Sequence, residues 1–116
     1  MCKGTAFNSK CEEKPSFKRW KIYDYGELSG IENMKNEIFS WGPIICGIHA
    51  SKQFQEYKGG IFSEISISPK IDHYVEIMGW GEEGGKKYWL GRNFWGTSWG
   101  ESSFFRIQMG SNNLGL

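Results

Sequence analysis

His73-Tyr74-Val75-Glu76-Ile77-Met78-Gly79-Trp80-Gly81, just after Asp72, and Tyr88-Trp89-Leu90-Gly91-Arg92-Asn93-Phe94 read as two strands of one hairpin. Between them lies Glu82 to Lys87, a polar, Gly-bearing segment of the kind that turns a chain back on itself. The first strand is apolar on both faces apart from Glu76. With the turn centred near Glu83, residues equidistant from it face each other across an antiparallel ladder. His73 lies ten positions before Glu83 and Asn93 ten after, so their side chains are expected to meet at the open end of the hairpin. That expectation depends on register, since a slip of one residue moves a side chain to the other face.

Downstream, Trp95 to Glu101 is a Gly- and Trp-rich turn, Phe104 to Met109 a further strand, and Ser111 to Leu116 the expected start of another. Upstream, the best-marked element is a helix. Ser29 is the candidate N-cap, with Glu32 three residues on completing a capping box. Ile31, Met34, Ile38 and Trp41 then follow helical spacing on one face. Gly42-Pro43 stops the helix, because proline cannot continue it. Ile44 to Ala50 is a buried strand candidate, Lys52 to Tyr57 a single helical turn, and Ile61-Phe62 a brief extension after Gly59-Gly60. Ser63 to Ile71 is a loop. Trp20 to Tyr25 alternates and reads as a short strand, while Met1 to Arg19 is polar and irregular. One early helix followed by antiparallel strands predicts an α+β domain.

The 116 residues fit one small domain. Eight Phe, six Trp and five Tyr supply a core from few residues. The net charge of +1 gives no electrostatic case for nucleic acid or an anionic membrane as partner. No apolar run approaches the roughly 20 residues of a membrane span, and Met1-Cys2-Lys3-Gly4 does not read as a signal peptide. Of the three cysteines, Cys2 and Cys11 are spaced to close a small loop, and Cys46 reads as a small buried hydrophobe. None has the Cys-x-x-Cys spacing of a metal site, and Glu82-Glu83 reads as a solvated turn, so neither metal nor cofactor is expected. His49 is expected at the surface or a cleft edge.

A histidine beside an asparagine has a chemical use. The amide oxygen can hold one ring N–H and fix the tautomer, leaving the other nitrogen as a base. Trp95 and Trp99 stand close enough in sequence to cover that bond. Spacing alone leaves two readings open, a base with its orienting amide and a structural histidine satisfied by a neighbour.

The motifs favour the first. Gly42-Pro43-Ile44, Tyr57-Lys58-Gly59-Gly60-Ile61-Phe62, Asp72-His73, Gly79-Trp80-Gly81 and Tyr88 to Glu101 occur in this order. The chain resembles the C-terminal half of papain-family cysteine peptidases. Tyr23 to Gly30 and Gly42 to Ile48 resemble the cathepsin X branch of that family, also called cathepsin Z. The resemblance implies a papain-like right-hand domain over residues 1–116, with a barrel-like antiparallel sheet and one N-terminal helix. It implies that His73 is the catalytic histidine, that Asn93 orients it, and that Trp95 and Trp99 shield the pair. It implies a peptide or protein substrate and a lysosomal or secreted location.

The family's nucleophile segment, Cys-Gly-Ser-Cys-Trp after a Gln, has no match in the sequence. By the resemblance, Cys2, Cys11 and Cys46 stand at disulfide positions whose partners are outside the chain or replaced, and both ends look cut. Three departures stand out. Phe94 replaces a usual Ser and Ser103 a usual Gly, and Tyr74 stands where the family has a small residue lining the pocket for the second substrate residue. The expectation is half of a catalytic site, inactive alone. The rival expectation is a non-catalytic binding or regulatory module derived from such a peptidase.

Overall fold

A computed structural model describes residues 2–3, 10–11, 16 and 18–116. The elements in order are β1 (Cys2–Lys3), β2 (Lys10–Cys11), α1 (Ile31–Trp41), β3 (Ile44–Ile48), α2 (Lys52–Gln55), β4 (Ile61–Phe62), β5 (His73–Glu83), β6 (Lys86–Arg92) and β7 (Phe104–Gln108). β1 and β2 pair antiparallel with Cys2 opposite Cys11, so the first residues are not wholly irregular. The loop expected of the Cys2 and Cys11 side chains lies outside the described residues. The other five strands form one sheet in the order β3-β5-β6-β7-β4. Every neighbour pair is antiparallel except β4 with β7, which is parallel. This is the expected α+β architecture, with α2 as a second, short helix.

The hairpin turns at Gly84-Gly85, whose φ values are 56° and 77°. Two consecutive left-handed residues are what a two-residue hairpin turn needs. The expected loop is therefore mostly ladder: Glu82 pairs with Lys87 and Glu83 with Lys86, acid opposite base. The turn lies one to two residues beyond Glu83. A bulge at Met78 then shifts the register between Ile77 and Gly79. On the turn side Trp80 pairs with Trp89, and beyond the bulge Ile77 pairs with Gly91 and Glu76 with Arg92.

Polarity explains the bulge. Continuing the turn-side register would carry Glu76 and Tyr74 to the core face and turn Val75 and Ile77 outward. The extra residue at Met78 reverses this, burying Val75 and Ile77 and leaving Tyr74 exposed. Trp89, Phe105 and Ile107 complete that face. Gly91 is forced there, since any Cβ would run into the Phe105 ring. Phe54 from α2 packs edge-on to Phe62, Trp99 and Phe105 at centroid distances of 5.4, 5.1 and 5.2 Å.

Four expectations need correction. Trp20 to Tyr25 is not a strand: it is exposed and has no ladder partner among the described residues. Alternation suits a strand to a sheet but does not supply the neighbour it must bond to. Ser29 is not the helix cap. Gly30, with φ 89° and ψ 142°, takes that position with no side-chain cap, and Glu32 pairs with Lys35 at 3.3 Å instead. Trp41 is not in the core. It shares the face of Met34, about 20° away round the axis, but as the last helical residue it lies past the end of the packed stripe and is 83% exposed, while Met34 and Ile38 are buried.

Finally, Ser111 to Leu116 does not start a strand. Asn112 and Leu114 are left-handed, with φ 46° and 53°, which breaks any extended run. Fully buried Asn113 fixes this turn, its Oδ1 accepting from Glu64 N–H at 2.7 Å and its Nδ2 donating to Gln108 O at 2.8 Å. No helix among the described residues is long and apolar enough to cross a membrane.

Candidate active site

His73 is the first residue of β5, and Asn93 follows the last residue of β6. His73 Nε2 lies 2.9 Å from Asn93 Oδ1. The Phe94 N–H donates to the same oxygen at 2.9 Å, which identifies it as the acceptor end of the amide. Nε2 therefore carries the proton of this bond, and in the neutral ring Nδ1 keeps its lone pair.

The two residues meet by a different route from the one read in the sequence. Site-side pairing places Asn93 next in line after the Glu76–Arg92 rung, beside Val75. His73 shares Val75's face two residues along, so the contact is diagonal. The turn lies further along than Glu83 and the bulge compensates by one residue. The two offsets restore the parity that brings the side chains to one face.

Aromatic rings wall the pair. The Trp95 ring stacks on the imidazole with centroids 4.8 Å apart and planes 23° apart. Trp99 meets Trp95 edge-on at 5.2 Å and anchors itself by donating its indole N–H to Gln55 O at 2.9 Å. Asn93 is only 1% exposed, so its hydrogen bond is largely shut away from water. Its backbone N–H donates to Ser103 O at 2.8 Å. Ser103 holds φ 78°, a left-handed conformation that favours glycine. Asn93 Nδ2 is buried with no hydrogen-bond partner.

Tyr74 points to the opposite, outer face. There Ile45, Tyr74, Val75, Glu76 and Phe94 line a shallow groove of about 280 Å³. The space over Gly47 is already taken: a Cβ there would sit 2.7 Å from Ile71 Cγ2 and 3.4 Å from Tyr74 Cε1. Ile45, expected in a buried strand, is 80% exposed in this groove.

Among the described residues, no activated thiol accompanies the imidazole. Cys46 pairs with Val75 in the ladder. Burial pushes its thiol up to about 11, so it is not a thiolate at neutral pH. Among the described residues, no group of three His, Cys, Asp or Glu could hold a metal.

One relation was not visible in the sequence. His49 Nδ1 lies 3.1 Å from both Asp72 Oδ2 and Lys70 O. Asp72 Oδ1 accepts from the Ala50 N–H at 2.8 Å. That N–H, followed by His49, holds the Asp72 carboxyl below the usual carboxylate range. The signal was the β3–β5 register, which puts Ile48 opposite His73. Two apolar strands with a long loop between them do not declare that register.

Residues 3–116 match the sequence profile of the papain family cysteine proteases. The chain is 43% identical over 106 residues to Cathepsin Z of Onchocerca volvulus, covering 90% of this chain and 34% of that protein. It is 36% identical over 114 residues to Cathepsin B-like cysteine proteinase 3 of Caenorhabditis elegans, covering 96% and 31%. The solved structure of digestive procathepsin L 3 from Tenebrio molitor larval midgut superposes with a TM-score of 0.69 at 34% identity, over 76% of this chain and 30% of that one. The chain thus spans about a third of the length of the relatives it matches. The diagonal His73–Asn93 pair stands on a papain-like α+β sheet, and the chain belongs to the papain family of cysteine peptidases.

Proposed function

We propose that this chain provides the imidazole half of a cathepsin X/Z-like peptidase, as the right-hand domain of a two-domain catalytic unit. His73 is the base and Asn93 its orienting amide. The observation that carries this reading is the 2.9 Å Nε2–Oδ1 bond beneath Trp95, which leaves Nδ1 free. In the completed site a cysteine from the other domain gives its proton to Nδ1, and the thiolate attacks the peptide carbonyl. The imidazolium then protonates the leaving amine, and the neutral ring takes a proton from the water that releases the acyl group. Trp95 and Trp99 keep water off the orienting bond.

Tyr74 borders substrate. With Ile71 it fills the space over Gly47, which favours short side chains at that subsite. The substrates are peptides or proteins, with nucleic acid and membrane playing no part, in a lysosomal or secreted setting.

The test is complementation. The chain is mixed with the nucleophile-bearing portion of a cathepsin Z-type peptidase, and peptide hydrolysis is measured. The chain alone is expected to be inactive, the mixture active, and the His73→Ala mixture inactive. A stable complex without hydrolysis would overturn the catalytic reading in favour of a binding or regulatory module. The unactivated Cys46 thiol and the exposed apolar groove favour that second reading for the chain by itself.

A further inference from the structure

His73 occupies a mechanically weak position. It is the first residue of β5, and its ladder partner Ile48 is the last of β3. Strand ends fray first, because a terminal rung has neighbours on one side only. An imidazole that must present Nδ1 at a fixed angle gains nothing from a rigid Asn93 if its own backbone opens.

The chain adds a rung beyond that end. The Asp72 N–H donates to Ile48 O at 3.1 Å. The Asp72 carboxylate reaches back across the ladder to two consecutive residues, Oδ1 to the Ala50 N–H at 2.8 Å and Oδ2 to His49 Nδ1 at 3.1 Å. His49 Nδ1 also faces Lys70 O at 3.1 Å. Both neighbours of Nδ1 are acceptors, so this nitrogen carries the hydrogen and the ring has one tautomer. One imidazole thereby grips the carboxylate of residue 72 and the carbonyl of residue 70. Between them Ile71 is seated against Gly47, and a Cβ on Gly115 would sit 2.9 Å from its Cδ1. The residue before His73 is held by its amide, by both carboxylate oxygens and by the side chain preceding it.

We propose that His49 is a positioning residue for His73, acting through Asp72 to close the open end of the β3–β5 ladder. The proposal rests on the reading of His73 as the base, but its structural content is measurable in this chain without any reaction.

The experiment is solvent exchange by NMR on the full chain. It follows the His73 Nε2 proton bonded to Asn93 and the Asp72 amide proton bonded to Ile48. His49→Ala is expected to speed both exchanges about tenfold, the worth of one hydrogen bond to a charged group. His49→Asn, whose amide nitrogen can take the place of Nδ1, is expected to restore most of the protection. The Trp89 and Gly91 amides, deep in the sheet, are expected to keep their protection in both variants.

Unchanged exchange at His73 and Asp72 in His49→Ala would overturn the proposal. So would an equal loss at Trp89 and Gly91, which would make His49 a global packing residue. Failure of His49→Asn to restore protection would also overturn it, since the hydrogen bond would then not be the agent. A positive exchange result with no hydrolysis in complementation would count against the catalytic reading alone.

Discussion

An imidazole serves as a base only when one of its nitrogens is committed and the other is free. In this chain Asn93 Oδ1 makes the commitment, and the Phe94 N–H keeps that oxygen in place. Replacing Asn93 by Ala should therefore lower kcat of the complemented enzyme about a hundredfold with KM nearly unchanged. Steady-state kinetics of the reconstituted pair decides this, and a change confined to KM would contradict it. A second residue-scale prediction concerns Glu101. The Arg106 guanidinium, at 2.7 and 3.0 Å, and the Gly60 N–H hold its carboxyl below the ordinary 4.5. A carboxyl lowered on folding stabilises the folded state fully above its unfolded value, and that contribution fades as pH falls through the folded value. Glu101→Gln should flatten the acid side of the Tm–pH curve below about pH 4.5 and leave its shape near neutrality unchanged. The meeting of His73 and Asn93 was legible from their equal distances to a turn near Glu83, though the actual turn lies further on and the bulge restores the parity; spacing alone assigned the pair no role. The His49–Asp72 clamp was not legible, since nothing local in either segment names the other.

The hairpin shows what an element can hide. Its two strands and its turn region were legible from apolar runs flanking a polar, glycine-bearing gap. The bulge at Met78 was not, because it answers a tertiary demand: Val75 and Ile77 must face Trp89 and Phe105 while Glu76 does not. The same limit applies to Ser29, which has the chemistry of a cap but yields to the backbone freedom of Gly30. Two length variants separate register from stability. Deleting Met78 removes the unpaired residue and should keep the pairs on both sides, and with them the His73–Asn93 contact. Inserting one glycine after Arg92 should turn Asn93 to the outer face, abolish the contact and cost about 2–4 kcal/mol through the lost buried hydrogen bonds. Thermal denaturation and the His73 side-chain NMR signal read both effects.

At the scale of the whole molecule, apolar residues outnumber the places available to bury them. Ile45, Tyr74 and Phe94 stand exposed around one groove, and Phe39 and Trp41 are exposed on α1. An exposed apolar groove such as the one Ile45, Tyr74 and Phe94 line is ordinarily a contact site. The isolated chain should therefore self-associate as its concentration rises. The pair Ile45→Lys and Phe94→Ser should raise the onset concentration about tenfold without lowering Tm, and sedimentation velocity checks it. The sequence made the aromatic load plain but not which rings would be left outside. That depends on sheet order, and the order here places β3 and β4 at opposite edges although they are successive strands with only α2 between them.

The position of β4 also sets an order in time. Ile61 pairs in parallel with Arg106, roughly 45 positions away, whereas β5 and β6 close across two glycines. Local closure is fast and distant parallel closure slow. A refolding chain should therefore assemble the frame of His73 and Asn93 first and dock Phe54, Tyr57 and Phe62 against Trp99 later. Tryptophan fluorescence should lag the far-ultraviolet circular dichroism signal. During that interval the His73–Asn93 bond exists before the aromatic wall around it is complete, and a newly made chain presents an imidazole already oriented and still open to water.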